Sequence, residues 1–334
     1  MQTDEQPQAS RWRAIARRLG LGRTRGWWGL ASGPDATVAA HLACDAEGAL
    51  ELTRLEILSG TGEQPARRSA DVARAQRTGH VGRASCAMLM PVADYHLHFM
   101  PGLPVPPPER ADALRWRLKD DLDFPAAEAV IGCVAAPVQN QSMEHGLWMT
   151  VVTRRKRAFE LIAPLTRAGA AIRALDVVEL AQRNLAAAMA PANRTVSMLS
   201  IDRRNALLTV SRDDGMFAAR HFDPLAVALH EAVDDSARRA ELIERLALEL
   251  QRTFDNVERQ YATGQIDRLV VLAEPRSADL VEGLQSALAA NVTTMEIERV
   301  CSARDPALLA RAGASLTACL AIGAAVRARA EALA

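Results

Sequence analysis

The chain has 334 residues, 49 % of them apolar, enough for about two domains with a sizeable core. Its 40 basic and 40 acidic residues cancel, which excludes the strongly basic profile of a general nucleic-acid binder. Only Lys119 and Lys156 are lysines and neither follows a glycine, so a Gly-Lys-Ser/Thr phosphate loop is excluded too.

The first eight residues are polar and carry Asp4 and Glu5, unlike a secretory signal. Residues 10–20 predict a short helix with Ser10 as N-cap and Gly20 as stop. Trp12, Ile15, Ala16 and Leu19 share one face, and Arg11, Arg13, Arg17 and Arg18 fill much of the rest. Such a helix either lies on an anionic membrane surface or packs on its own domain through Trp12 with its arginines solvated. Short strand-like runs follow at 27–30, 37–42 and 50–57, parted by turn residues at 32–35 and 45–48, which reads as a β-meander. The polar stretch 60–79 predicts a surface helix near 70–77.

Residues 86–91 predict a buried strand and 94–100 a half-buried one. On that second strand His96 and His98 would share a face with Asp94. A fourth ligand is wanting, so no metal is expected there. Five prolines within 101–108 make a stiff connector to a helix over 109–122, which ends at Asp123-Phe124-Pro125. Strands are expected at 129–137 and 147–153, a helix at 158–168 after the basic run 154–157, a strand at 174–178 and a helix at 180–190.

The pattern then restarts, with strands at 196–201, 205–211 and 216–222 and turns at 202–204 and 212–215. Each half therefore opens with a three-stranded meander followed by helices. The clearest helix spans 236–261, with Ile243, Leu246, Ala247, Leu250, Phe254, Val257 and Tyr261 in one stripe and Gly264 as its stop. A buried strand at 268–273, a helix at 278–290, an edge strand at 294–299 and a closing helix at 316–333 complete the chain. The apolar run 316–326 is too short for a membrane span and predicts a helix buried against a sheet. The five cysteines, at 44, 86, 133, 301 and 319, form no Cys-x-x-Cys pair and fit buried thiols in a reducing compartment.

Two such lobes predict an α/β, bilobed actin-like (ribonuclease-H-like) fold. The expected division is a basic segment at 1–23, a first lobe at 24–190 with an inserted subdomain at about 89–153, a second lobe at 191–315 and a closing helix at 316–334. The segment LRWRLKDDLDFP at 114–125, followed by Ala129-Val130-Ile131, resembles the helix and Phe/Tyr-Pro turn of PilM-type pilus assembly proteins, most nearly the MshI branch named for the mannose-sensitive haemagglutinin (MSHA) pilus. LTRAGAAIRALDVVELAQRN at 165–184 is similar to the segment that follows in that family. Ser211 to Met216 resembles the glycine hairpin of its second lobe, and 245–261 and 316–327 resemble its long and closing helices. The likeness runs over about 24–330 and extends to the cytoplasmic part of the secretion protein GspL.

The resemblance implies a cytoplasmic protein, peripheral to the inner membrane, that holds the cytoplasmic tail of a PilN-like membrane protein beside the inserted subdomain. Arg115, Trp116, Asp123, Phe124 and Pro125 become the candidate contacts, with Trp116 alternatively a core residue and the helix bearing Arg11 to Arg18 a second, membrane-facing contact. It also implies a nucleotide cleft whose hairpins offer glycine N–H groups to phosphate and a carboxylate to Mg²⁺. The first family hairpin reads roughly Gly-Ile-Asp-Ile-Gly-Ser; this chain has Gly29, Leu30, Ala31, Ser32, Gly33 and Pro34. Ala31 lacks the carboxylate and Pro34 lacks an N–H. The second reads Asp-Ile-Gly; here Ser200, Ile201 and Asp202 put an acid where phosphate would lie. Ala273-Glu274-Pro275 replaces the glycines of the adenine-side turn. The expectation is a pseudo-ATPase scaffold with no cofactor. The alternative is an ATP-binding actin-like protein whose nucleotide state controls pilus or type II secretion assembly.

Overall fold

The structure, a computed structural model, describes residues 26–33, 36–44, 48–59, 85–136, 145–167, 170–190, 193–213, 215–273 and 278–333. The basic helix expected at 10–20, the surface helix expected within 60–79, and Pro34, Asp35, Glu274 and Pro275 lie outside the described residues.

The chain opens with an antiparallel meander, β1 (Trp27–Ser32), β2 (Ala36–Cys44) and β3 (Leu50–Ser59). β4 (Ser85–Leu89) lies parallel to β1 on its other side. The chain then leaves this sheet to build a second one from β5 (His96–Pro101), helix α1 (Arg110–Leu118), β6 (Ala129–Ala136) and β7 (Leu147–Arg154), in strand order β5-β7-β6. It returns through α2 (Arg155–Arg167) to β8 (Ala171–Asp176), parallel to β4, which completes the order β3-β2-β1-β4-β8. Helix α3 (Val178–Met189) leads to the second lobe.

That lobe repeats the plan. Strands β9 (Val196–Ile201), β10 (Ala206–Arg212) and β11 (Gly215–His221) form its meander. Helices α4 (Asp223–Glu231) and α5 (Ser236–Tyr261), strand β12 (Arg268–Ala273), α6 (Ala278–Ala287) and β13 (Asn291–Thr294) follow. The order β11-β10-β9-β12-β13 places β12 where β4 stands in the first lobe. Helices α7 (Pro306–Gly313) and α8 (Leu316–Leu333) close the chain.

Both sheets are covered on two faces, and β1 and β9 are buried almost throughout. Helices α8 and α3 lie side by side between the sheets, α8 against β1, β2 and β4, and α3 against β9 and β10. One apolar core joins Leu42, Leu52, Leu185, Met198, Val270 and Ile322 across this junction. Among the described residues no single helix is long and apolar enough to cross a membrane; α7 and α8 reach that composition only together, bent by 110°.

Four local expectations are corrected. The last edge strand is Asn291–Thr294, not 294–299, because Val292 pairs with Leu269 and is buried there, while Ile297–Arg299 turns as a 3₁₀ helix. Helix α5 ends at Ala262, which adopts φ 51° and donates its N–H to the Glu258 carbonyl, two residues before Gly264. Helices α4 and α7 stand where the sequence reading has none. Each starts at an Asp-Pro pair, and in α7 the Asp305 carboxylate caps the Ala307 N–H at 3.0 Å. Asp94 does not join His96 and His98. It sits in a 3₁₀ turn and pairs with Arg157 at 2.7 Å, and no group of three or more potential metal ligands occurs among the described residues.

Candidate functional site

A cleft of about 560 Å³ opens between the lobes. The end of β1 supplies Ala31 and Ser32, the turn after it Gly33, and the segment after β4 Met90 to Ala93. The second lobe contributes Ser200, Asp202, Arg204, Asn205, His221 and Asp223, and α8 closes the base with Thr317 and Leu320. A hollow of about 700 Å³ on the outer face of the second lobe, between α5 and α6, is larger but lined mainly by Ile243, Ala247, Leu248 and their neighbours.

The cleft gathers four of the five residues singled out as degenerate phosphate hairpins. Ala31 is buried and presents a methyl group. Gly33 donates its N–H to the Ala36 carbonyl at 2.9 Å, closing the β1–β2 turn. Ser200 donates its hydroxyl to Gln182 Oε1 at 2.7 Å and is thereby turned toward α3. The Asp202 carboxylate accepts the N–H groups of Arg204 at 2.7 Å and Asn205 at 2.8 Å, capping its own turn. Gly29 is the exception. A Cβ there would collide with the Ala321 carbonyl oxygen, so this glycine serves the packing of β1 on α8 and not a turn.

Sequence reasoning missed the polar residues of α3. Glu179 accepts the Tyr95 hydroxyl at 2.7 Å and faces His221 Nε2 at 3.2 Å. Gln182 bonds Ser200, Thr209 and the carbonyls of Met198 and Leu207. A signal for them exists in the sequence: Glu179, Gln182 and Arg183 are polar positions in a helix whose flanks are apolar, and all three are buried. The hydrogen bond to Glu179 raises the pKa of His221 above the ordinary 6.5, against the opposing effect of burial. Burial, reinforced by the charge of Glu179, raises that of Tyr95. Burial also raises the pKa of Asp176, whose Oδ1 accepts the Val177 N–H at 2.9 Å.

The candidate partner contacts separate into buried and exposed groups. Phe124 packs with Leu118, Ala129 and Val152 in the core beneath α1, with the Arg154 guanidinium 4.8 Å over its ring. It is a structural residue, because the chain turns at Asp123-Phe124-Pro125 to bring β6 under α1. Trp116 is 72 % exposed on the opposite face of α1 with Lys119 5.2 Å over its ring, so the alternative of a buried Trp116 is overturned. Arg115 pairs with Asp112 and reaches the Ala129 carbonyl at 3.5 Å. Asp123 faces His96 at 3.6 Å, and Pro125 leads into the 3₁₀ turn Ala126–Glu128.

No family model and no curated protein matches the chain. Solved structures do. A chain of a "PilM-PilN type IV pilus biogenesis complex" is 19 % identical with a TM-score of 0.68, over 90 % of this chain and 98 % of that one. The cytoplasmic domain of EpsL, an inner-membrane component of the type II secretion system of Vibrio cholerae, is 11 % identical with a TM-score of 0.47, over 90 % and 95 %. A Bacteroides thetaiotaomicron protein of actin-like ATPase fold is 8 % identical with a TM-score of 0.45, over 86 % and 96 %. Two lobes of one strand order, facing across a cleft and joined by a pair of central helices, make this chain a protein of the actin-like α/β fold.

Proposed function

We propose that this chain is a cytoplasmic scaffold of an inner-membrane type IV pilus assembly platform, of the MSHA type, that binds the tail of a PilN-like membrane protein and does not hydrolyse nucleotide. The observation that carries the reading is the fold likeness to a chain of the PilM–PilN complex over 98 % of that chain's length. Tethering through such a tail would station the chain at the membrane, with the arginines of residues 11–18 as a second contact.

The partner contact lies at the inserted three-stranded sheet. Trp116 offers a large exposed surface there, and Arg115 and Asp123 flank the same helix and turn. Fluorescence anisotropy of a PilN-type tail peptide against the full chain tests this. Binding weakened at least tenfold by Trp116→Ala, with the melting temperature unchanged, is the expected result. Absence of binding overturns the scaffold reading, and unweakened binding moves the contact away from α1.

A second reading, nucleotide control, draws on the inter-lobe cleft itself. Against it stand the methyl group of Ala31 and the carboxylate of Asp202 already tied into its own turn. Calorimetric titration with Mg-ATP is expected to give nothing tighter than about millimolar, near −4 kcal/mol. Micromolar Mg²⁺-dependent binding would establish the second reading.

A further inference from the structure

Glu179 lies in the first turn of α3 with 1 % of its surface exposed. Its two carboxyl oxygens serve different parts of the molecule. Tyr95, buried at the head of β5, donates its hydroxyl to Oε2 at 2.7 Å. His221, the last residue of β11, places Nε2 3.2 Å from Oε1. One carboxyl group therefore fastens the inserted sheet on one side and the second lobe on the other. Both fastened segments also wall the cleft: Pro91, Val92 and Ala93 run toward Tyr95, and His221 lines the cleft itself.

The His221 imidazole stands between two carboxyl groups. Its Nδ1 is buried, has no hydrogen-bond partner, and lies 3.7 Å from Asp223 Oδ1. A neutral ring that donates through Nε2 turns a bare lone pair toward Asp223, whereas an imidazolium turns an N–H toward it. Among the described residues, the charged groups that act on the ring are both acids, Glu179 from α3 and Asp223 from α4. Behind Glu179 stands Asp176 at the end of β8, itself faced by Arg183 of α3 and Arg327 of α8. Asp202 and Arg204 share the cleft wall with the ring.

We propose that Tyr95, Glu179 and His221 form a proton-operated latch across the cleft. With His221 protonated, Glu179 holds the inserted sheet and the second lobe to α3 together. With His221 neutral, the second lobe's side of the latch loosens while the Tyr95 side stays made. Because the folded pKa is raised above the unfolded 6.5, the latch is fully closed below 6.5 and opens as pH rises through the folded value. The device concerns the lobes of this chain and stands whether or not the partner is a pilus protein.

Hydrogen exchange of the full chain, read by mass spectrometry at about pH 6 and about pH 8 and scaled for intrinsic rate, tests the latch. Protection of residues 215–221 is expected to fall with rising pH by up to about tenfold per unit of raised pKa. Strand β12 should not change. His221→Gln should abolish the dependence, and Tyr95→Phe should loosen residues 95–101 at both pH values while leaving it in place. Equal scaled protection of 215–221 at both pH values overturns the proposal. So does an undiminished dependence in His221→Gln, or a change uniform across all segments. Should His221→Gln fail to fold, the imidazole titration of the wild-type chain by NMR decides, and a midpoint at or below 6.5 overturns the latch.

Discussion

Helix α8 meets the first lobe's sheet through small apolar groups, whereas α3 meets the second lobe's sheet through buried polar ones. Along α8, Ala318, Cys319, Ala321, Ile322, Ala324 and Ala325 are fully buried, and Gly29 lets the β1 backbone come up against the Ala321 carbonyl. Along α3, Glu179, Gln182 and Arg183 are buried, and Gln182 alone bonds two strands of the opposing sheet. The difference teaches what each contact tolerates. Close apolar packing adapts to polarity poorly and to added volume not at all. A buried polar hub accepts no loss of a partner, and in return its directed bonds hold α3 in one register on β9 and β10.

Adding volume at the apolar seam is the hardest break. Gly29→Val would drive a branched side chain into the α8 backbone, and Gly323→Val would do the same against the Ala181 carbonyl of α3. Either is expected to destabilise by about 3 kcal/mol or more, read from the urea midpoint. A loss below about 1 kcal/mol would mean that the seam around α8 can open to take the added volume, and the contrast with α3 would fall.

Removing the polar hub comes next. Gln182→Ala strips the partner from the Ser200 hydroxyl, the Thr209 hydroxyl and two carbonyls, and is expected to cost about 2–3 kcal/mol. The pH dependence of stability sharpens the same contrast with two histidines. His41, in the first lobe, is pushed down to about 4 by burial and by Arg54, the opposite direction to His221 in the second. A lowered folded pKa means stability present above 6.5 and lost as pH falls from there toward 4, on the order of 2 kcal/mol. Denaturation of the wild type and of His41→Gln between those limits measures it, and parallel curves would discard the assignment. The smallest effect belongs to Asn184, whose side chain donates to the Gly323 carbonyl at 2.9 Å and so ties α3 directly to α8. Asn184→Ala is expected to cost about 1 kcal/mol in the same urea assay.

Much of this architecture is legible in the sequence because it is written in local periodicity. The spans of the closing helix 316–333 and the long helix 236–261 agree with the sequence reading, the latter because its apolar stripe and the Asp235 cap coincide, although its stop is Ala262 and not Gly264. Both meanders follow from alternating apolar runs and their turns, and the repeat of one plan points to two lobes. Candidate site residues fare unevenly. Ala31, Gly33, Ser200 and Asp202 meet at the cleft, because a strand followed by a tight turn at matching places in each lobe delivers them there. Gly29, two residues before Ala31, belongs to the helix seam.

By itself the sequence determined most of the strands and helices, though not α4, α7 or the place of β13, together with the bilobed class and the turns that aim two hairpins at one cleft, since these depend on neighbours within a few residues. Only the tertiary structure decided which polar residues are partners. Tyr95 and Glu179 are 84 residues apart and Asn184 and Gly323 are 139, and no periodicity spans such gaps. It also decided that Phe124 is core and Trp116 surface. The two stand eight residues apart with a turn between them, and only the sheet beneath α1 fixes which ring has apolar atoms to cover it.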